Sequence, residues 1–101
     1  MMFDFLSMMF NHNERVVDNY KCDLFMVDTC VVTDRAMKYE TAVAHKYFNN
    51  GKWVILEYSE TKKEAQQIHD KWVSFFKNNT ISEITDIFTG VTFKRCGLYK
   101  E

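Results

Sequence analysis

The stretch from Lys38 to Asn79 constrains the fold more than any other part of the chain, because it lays down a strand, a tight turn, a second strand and a capped helix without interruption. Asn50-Gly51 is a pair preferred in type I′ turns, where both central residues need positive φ. With that pair as the loop, Asn49 faces Lys52, Phe48 faces Trp53, Tyr47 faces Val54, His45 faces Leu56 and Val43 faces Tyr58. Side chains alternate along a strand. Val43, His45, Tyr47, Val54, Leu56 and Tyr58 therefore share one face, which is the more uniformly apolar and is the predicted core face. Ala42, Ala44, Lys46, Phe48, Trp53, Ile55 and Glu57 share the other.

The helix signal comes directly after the second strand. Thr61 and Glu64 have the spacing of a capping box, which satisfies two backbone donors that a helix start leaves open. Ala65, Ile68, Trp72 and Phe76 then recur at three- and four-residue intervals, with Phe75 widening the stripe and His69 at its edge. This predicts a helix over about 62–77. Thr80-Ile81-Ser82-Glu83 repeats the capping pattern ahead of Ile84, Ile87 and Phe88, with Gly90 placed as a C-terminal cap. The pattern predicts a short second helix near 81–88; a hairpin through Thr89-Gly90 competes, since β-branched residues crowd the segment. Val91 to Arg95 reads as a final strand, and 20–33 as a β-prone run with a bulge or kink at Asp28-Thr29. Together these predict an α+β fold, an antiparallel sheet of three to five strands with the main helix packed on one face.

The 101 residues contain no proline and three glycines, with no linker or repeat, so a single domain over 1–101 is expected. Residues 11–15 read as a polar connection. The first ten residues read as an apolar arm or short helix, Met1-Met2-Phe3-Asp4-Phe5-Leu6-Ser7-Met8-Met9-Phe10; with no basic start and an acid at position 4, the segment does not read as a signal peptide. No stretch has the length that a membrane span requires. A net charge of −1 offers no surplus to neutralise a phosphate backbone, which argues against a nucleic-acid partner. Cys22, Cys30 and Cys96 are odd in number and widely spaced, and read as reduced thiols.

Chemistry is sparsely signalled. His45 on the hairpin and His69 on the helix are the candidates for a ligand or metal site, helped by Cys22 or Cys30, but no Cys-x-x-Cys or His-x-x-x-His spacing is present and no metal or cofactor is assigned. Glu40, Glu57, Asp28 and Asp34 are the acidic candidates, best read as solvated strand residues. Ser59, Ser74 and Ser82 lack a nucleophile elbow, so no catalytic residue is proposed. What stands out is a surplus of rings: nine Phe, five Tyr and two Trp exceed what one small core holds. Aromatic and Met side chains are enriched at protein contacts. Phe3, Phe5, Met8, Met9 and Phe10, followed by Phe48 and Trp53, are the predicted contact residues.

Several of these pieces also occur together elsewhere. Val27-Asp28-Thr29-Cys30, Val32-Thr33-Asp34, Tyr39-Glu40-Thr41-Ala42, Asn49-Asn50-Gly51-Lys52-Trp53-Val54-Ile55, and the helix with Glu64-Ala65 and His69-Asp70-Lys71-Trp72 resemble a group of small bacteriophage-encoded proteins over residues 27–77. The resemblance brings no catalytic residue or cofactor. It implies a phage accessory protein made in the host bacterial cytoplasm that binds a host or phage protein, inhibition of a host defence protein being one such role. The alternatives are a minor virion component or self-assembling oligomer, and a small-molecule or metal binder using His45 and His69.

Overall fold

The computed structural model describes residues 16–32 and 38–96. Four strands, β1 (Val16–Lys21), β2 (Phe25–Val31), β3 (Tyr39–His45) and β4 (Trp53–Ser59), form an antiparallel sheet in sequence order. The helix α1 (Lys62–Asn78) crosses one face, and β5 (Glu83–Thr85) and β6 (Thr92–Lys94) make a second, two-stranded sheet. The fold is α+β, as the sequence predicts, with one main helix at the expected position.

Register explains the core. Tyr20, Val27, Val43 and Val54 lie side by side across the four strands beneath α1, and the three valines are fully buried. Each buried valine contributes roughly 1.5–3 kcal/mol. Phe25, Phe48, Leu56, Phe76, Ile81 and Ile84 complete the core. Thr61 caps α1 through its hydroxyl, which accepts from the Glu64 N–H at 3.1 Å; the Glu64 carboxylate reaches back to the Glu60 N–H, one residue before the cap. Caps of this type are worth about 1 kcal/mol. Ala65, His69 and Phe76 form the buried line of the helix, flanked by Trp72 and Val73, so His69 lies on the centre of the stripe and not on its edge.

The hairpin departs from the expected register. Val54 faces Val43, not Tyr47, a displacement of four residues along β3. The turn itself sits where the sequence puts it: Asn50 and Gly51 have φ of 56° and 78°, and the Lys52 N–H closes it on the Asn49 carbonyl at 2.9 Å. β3 leaves the ladder early, at His45, and residues 46–49 make an excursion that drives Phe48 into the core. An even displacement keeps faces unchanged. Val43, His45, Val54 and Leu56 therefore still point toward α1. A bulge at Leu56 then inverts the facing of the last residues of β4, so that Glu57 pairs with Thr41 on the helix side and Tyr58 pairs with Glu40 on the other.

Three further expectations are corrected. The segment 81–88 is not a helix: it is β5 and the start of the turn to β6. The β-prone run 20–33 divides at Cys22–Leu24, where the Cys22 N–H donates to the Phe25 carbonyl. β2 runs unbroken through Asp28-Thr29, and the irregularity lies opposite, on β1 between Val16 and Asp18.

Candidate functional site

Beneath α1 a polar row runs parallel to the valine row. Asp18, Thr29, Thr41 and Glu57 are neighbours across the four strands, and each meets the helix or the next member. Thr41 and Thr29 hydroxyls are 2.7 Å apart, Thr29 is 2.9 Å from His69 Nδ1, and His69 Nε2 is 3.7 Å from Asp18 Oδ2. Gln66 donates to Asp18 at 2.8 Å; that bond and the Asn19 N–H, opposed by burial, hold the Asp18 carboxyl below its ordinary pKa. At the other end Trp72 Nε1–H and Lys71 both donate to Glu57 Oε1, at 2.9 and 2.7 Å.

The order Asp, His, Thr is that of a nucleophile with its base, yet Thr29 is fully buried and its hydroxyl is engaged by Thr41 and His69. No substrate reaches it. One hydrogen arrangement satisfies the chain: Thr41 donates to Thr29, Thr29 to His69 Nδ1, and Nε2–H points at Asp18. The row thus helps to fix where α1 sits, because a shift by one turn would leave the buried His69 Nδ1 without its Thr29 partner, while Thr29 and Thr41 keep each other.

The two histidines do not share a site. His45 packs among Phe25, Phe48 and Phe76, while His69 lies seven residues before Phe76 on α1, about 10 Å along the axis. Among the described residues no group of three His, Cys, Asp or Glu side chains is placed to hold a metal. Cys22, Cys30 and Cys96 are free thiols. Glu40 and Glu57 are separated by the sheet, Glu57 bonding to α1 and Glu40 lining a hollow on the opposite face with Asp28 and Asp86. Asp34 lies outside the described residues, as do Phe3, Phe5, Met8, Met9 and Phe10. Phe48 is withdrawn as a contact residue, since the excursion buries it completely. Trp53 is half-buried on the face away from α1, in register with Lys21, Met26 and Ala44.

The feature with the strongest surface character is the hairpin through Thr89-Gly90, the reading that competes with a helix in the sequence, and β6 lies within the expected final strand. The β5–β6 turn is held by Asp86, whose carboxylate accepts from the Phe88 and Thr89 N–H groups at 2.8 and 2.9 Å and from the Ile55 N–H of β4 at 3.2 Å. Burial alone would raise this carboxyl's pKa; the backbone donors at Thr89, Ile55 and Phe88 outweigh it and hold it low. The Gly90 N–H closes the turn on the Asp86 carbonyl at 2.7 Å. This hydrogen-bonded turn presents Ile87, Phe88 and Val91 at 46, 55 and 47% exposure. Asp86 also lines a hollow with Trp53 and Ile55, so the tip adjoins the sheet face away from α1. A helical pattern places Ile87 and Phe88 on an inner face; Asp86 with Gly90 beyond it is the turn signal that points the other way. Neither a protein-family model, nor a curated protein, nor a solved structure matches this chain.

Proposed function

We propose that this protein works by binding another protein, with the 87–91 tip as its apolar anchor and the neighbouring Trp53 side of the sheet as the rest of the contact. The exposed trio on a turn already fixed by Asp86 is the observation that carries this reading. Large apolar side chains on a preorganised turn lose little further entropy on association, and a few such anchors carry most of an interface's energy. The occupant is a partner with an apolar pocket, since Ile87, Phe88, Thr89, Gly90 and Val91 carry no charge. The resemblance to phage proteins supplies the setting: an accessory protein acting in the bacterial cytoplasm on a host or phage protein, including a defence protein.

The test is capture from bacterial lysate with the wild-type chain and with an Ile87→Asp/Val91→Asp variant. A protein retained by the first and lost by the second, at unchanged unfolding midpoint, supports the reading. Equal retention by both overturns it. The same apolar tip also suits self-assembly, which light scattering distinguishes: a mass that rises with concentration, and falls to the monomer in the variant, favours the oligomer.

A further inference from the structure

A hollow at one end of the sheet face away from α1 narrows the chemistry of the partner. Lys21, Met26, Ala44 and Trp53 are directly opposite one another across β1, β2, β3 and β4. With strands about 4.8 Å apart, this row is roughly 14 Å long. Ala44, the smallest member, stands between Met26 and Trp53, and a hollow of about 420 Å³ opens there. Lys21, Lys46 and Lys52 rim it, all exposed, against a single lining carboxylate, Asp23. Among the described residues the lysines in ion pairs are Lys71, with Glu57, and Lys94, with Glu83, so these three ammonium groups face solvent. A chain of net charge −1 thus gathers local positive charge around an apolar floor.

We infer that this hollow takes an acidic peptide segment of a partner protein, with one large apolar side chain seated over Ala44 between Met26 and Trp53, and flanking Asp or Glu residues meeting Lys21, Lys46 and Lys52. This rests on the protein-binding reading above and specifies the partner. The lining decides against single-stranded nucleic acid: its two rings are the half-buried Trp53 and Phe25, which is buried in the core, where base stacking needs a succession of exposed rings. A charged rim around an apolar centre is also the usual layout of a protein contact.

The experiment is fluorescence polarisation on the full chain with a panel of labelled twelve-residue peptides, each having one Phe, Leu, Ile or Trp flanked by Asp and Glu. Matched peptides with Asn and Gln, and a twenty-residue oligothymidylate, serve as comparison. At least one acidic member should bind with Kd below roughly 100 µM at low salt, a modest affinity suited to a short segment. Binding should weaken as salt rises and screens the exposed rim. Each of Lys21→Glu, Lys46→Glu and Lys52→Glu should weaken it by roughly two- to fivefold or more. Ala44→Leu, which fills the hollow on a solvent-facing side, should abolish it without lowering the unfolding midpoint. No acidic member binding, equal binding of the Asn/Gln peptides, or tighter binding of the oligonucleotide would each overturn the inference. Failure of the panel while the Ile87→Asp/Val91→Asp variant still loses its captured protein defeats this inference alone; retention of that protein by the tip variant defeats the broader reading.

Discussion

His45 shows how one side chain reconciles a backbone departure with a dry interior. Where β3 leaves the ladder, the Tyr47 N–H loses its strand partner, and a buried unpaired donor is costly. His45 Nδ1 accepts that N–H at 3.1 Å, while the ring stacks on Phe25 and meets Phe48 edge-on at 4.8 Å between centroids. An acceptor nitrogen is an unprotonated one. Burial, and then the charge of Arg95, lower the His45 pKa from 6.5 to about 4. The folded-state value lies below the unfolded one, so the unfolded chain binds the extra proton between them, and stability rises with pH across that window. The contribution is present above pH 6.5 and lost as pH falls toward 4; it is on the order of 3 kcal/mol in full, with about 2 kcal/mol lost between pH 7 and pH 5. The depressed carboxyls of Asp18, Glu57 and Asp86 act lower, below about pH 5. Urea unfolding at pH 5 to 7 should show this slope in the wild type and not in His45→Asn, whatever that variant's stability at pH 7. An unchanged slope in the variant would place the titration elsewhere.

At the scale of elements, Asp86 decides between two structures that the local pattern allows equally. A helix over 81–88 would bury Ile81, Ile84, Ile87 and Phe88 together. Instead the Asp86 carboxylate captures the N–H groups of Phe88 and Thr89, a competition with helix that short acidic side chains win at turns. It also ties the turn to Ile55 on the sheet edge. Replacing it with Ala leaves three N–H groups without that acceptor, and Asp86→Ala should cost about 2–3 kcal/mol by denaturant midpoint. It should also shift the 87–91 amide resonances, while Val27 and Val43 keep theirs. A cost under about 0.5 kcal/mol would show that the turn stands without it. The helix α1 is the opposite case. Thr61, Glu64 and the Ala65, Trp72 and Phe76 positions of the stripe are legible in the sequence because cap, period and length all agree, whereas Phe75 is 40% exposed and His69, not Ile68, lies on the buried line. The Asn50-Gly51 turn is legible for the same reason, since its positive φ is a local demand. The early exit of β3 is not, because burying Phe48 depends on the whole core accepting it. Nor is the choice of hairpin over helix at the tip, where both patterns are present, because the anchor on Ile55 that favours the hairpin is 31 residues away.

Across the whole molecule, cohesion is uneven. The four-stranded sheet and α1 share continuous valine and polar rows. β5 and β6, three residues each, join them through the Ile87 N–H to the Ile55 carbonyl at 3.0 Å, the Cys96 N–H to the Tyr47 carbonyl at 3.0 Å, the Asp86 link, Arg95 over the Tyr47 ring, and the side chains of Ile81, Ile84 and Phe93. Units with few attachments open at lower free energy than the global unfolding step. Native-state hydrogen exchange should therefore give the Asp86 and Arg95 amides, bonded to Val91 and Ser82, opening energies at least about 2 kcal/mol below those of Val27 and Val43. The proposed contact surface straddles both units, with Trp53 and Met26 on one and the tip on the other. A partner seated across it would stabilise the attached hairpin, and protection at Asp86 and Arg95 should rise toward the global value when the captured protein is added. If those amides already exchange only through complete unfolding in the free chain, the hairpin is no separate unit. Bridging by a partner then has nothing to stabilise, and the tip must act as a fixed part of the main domain.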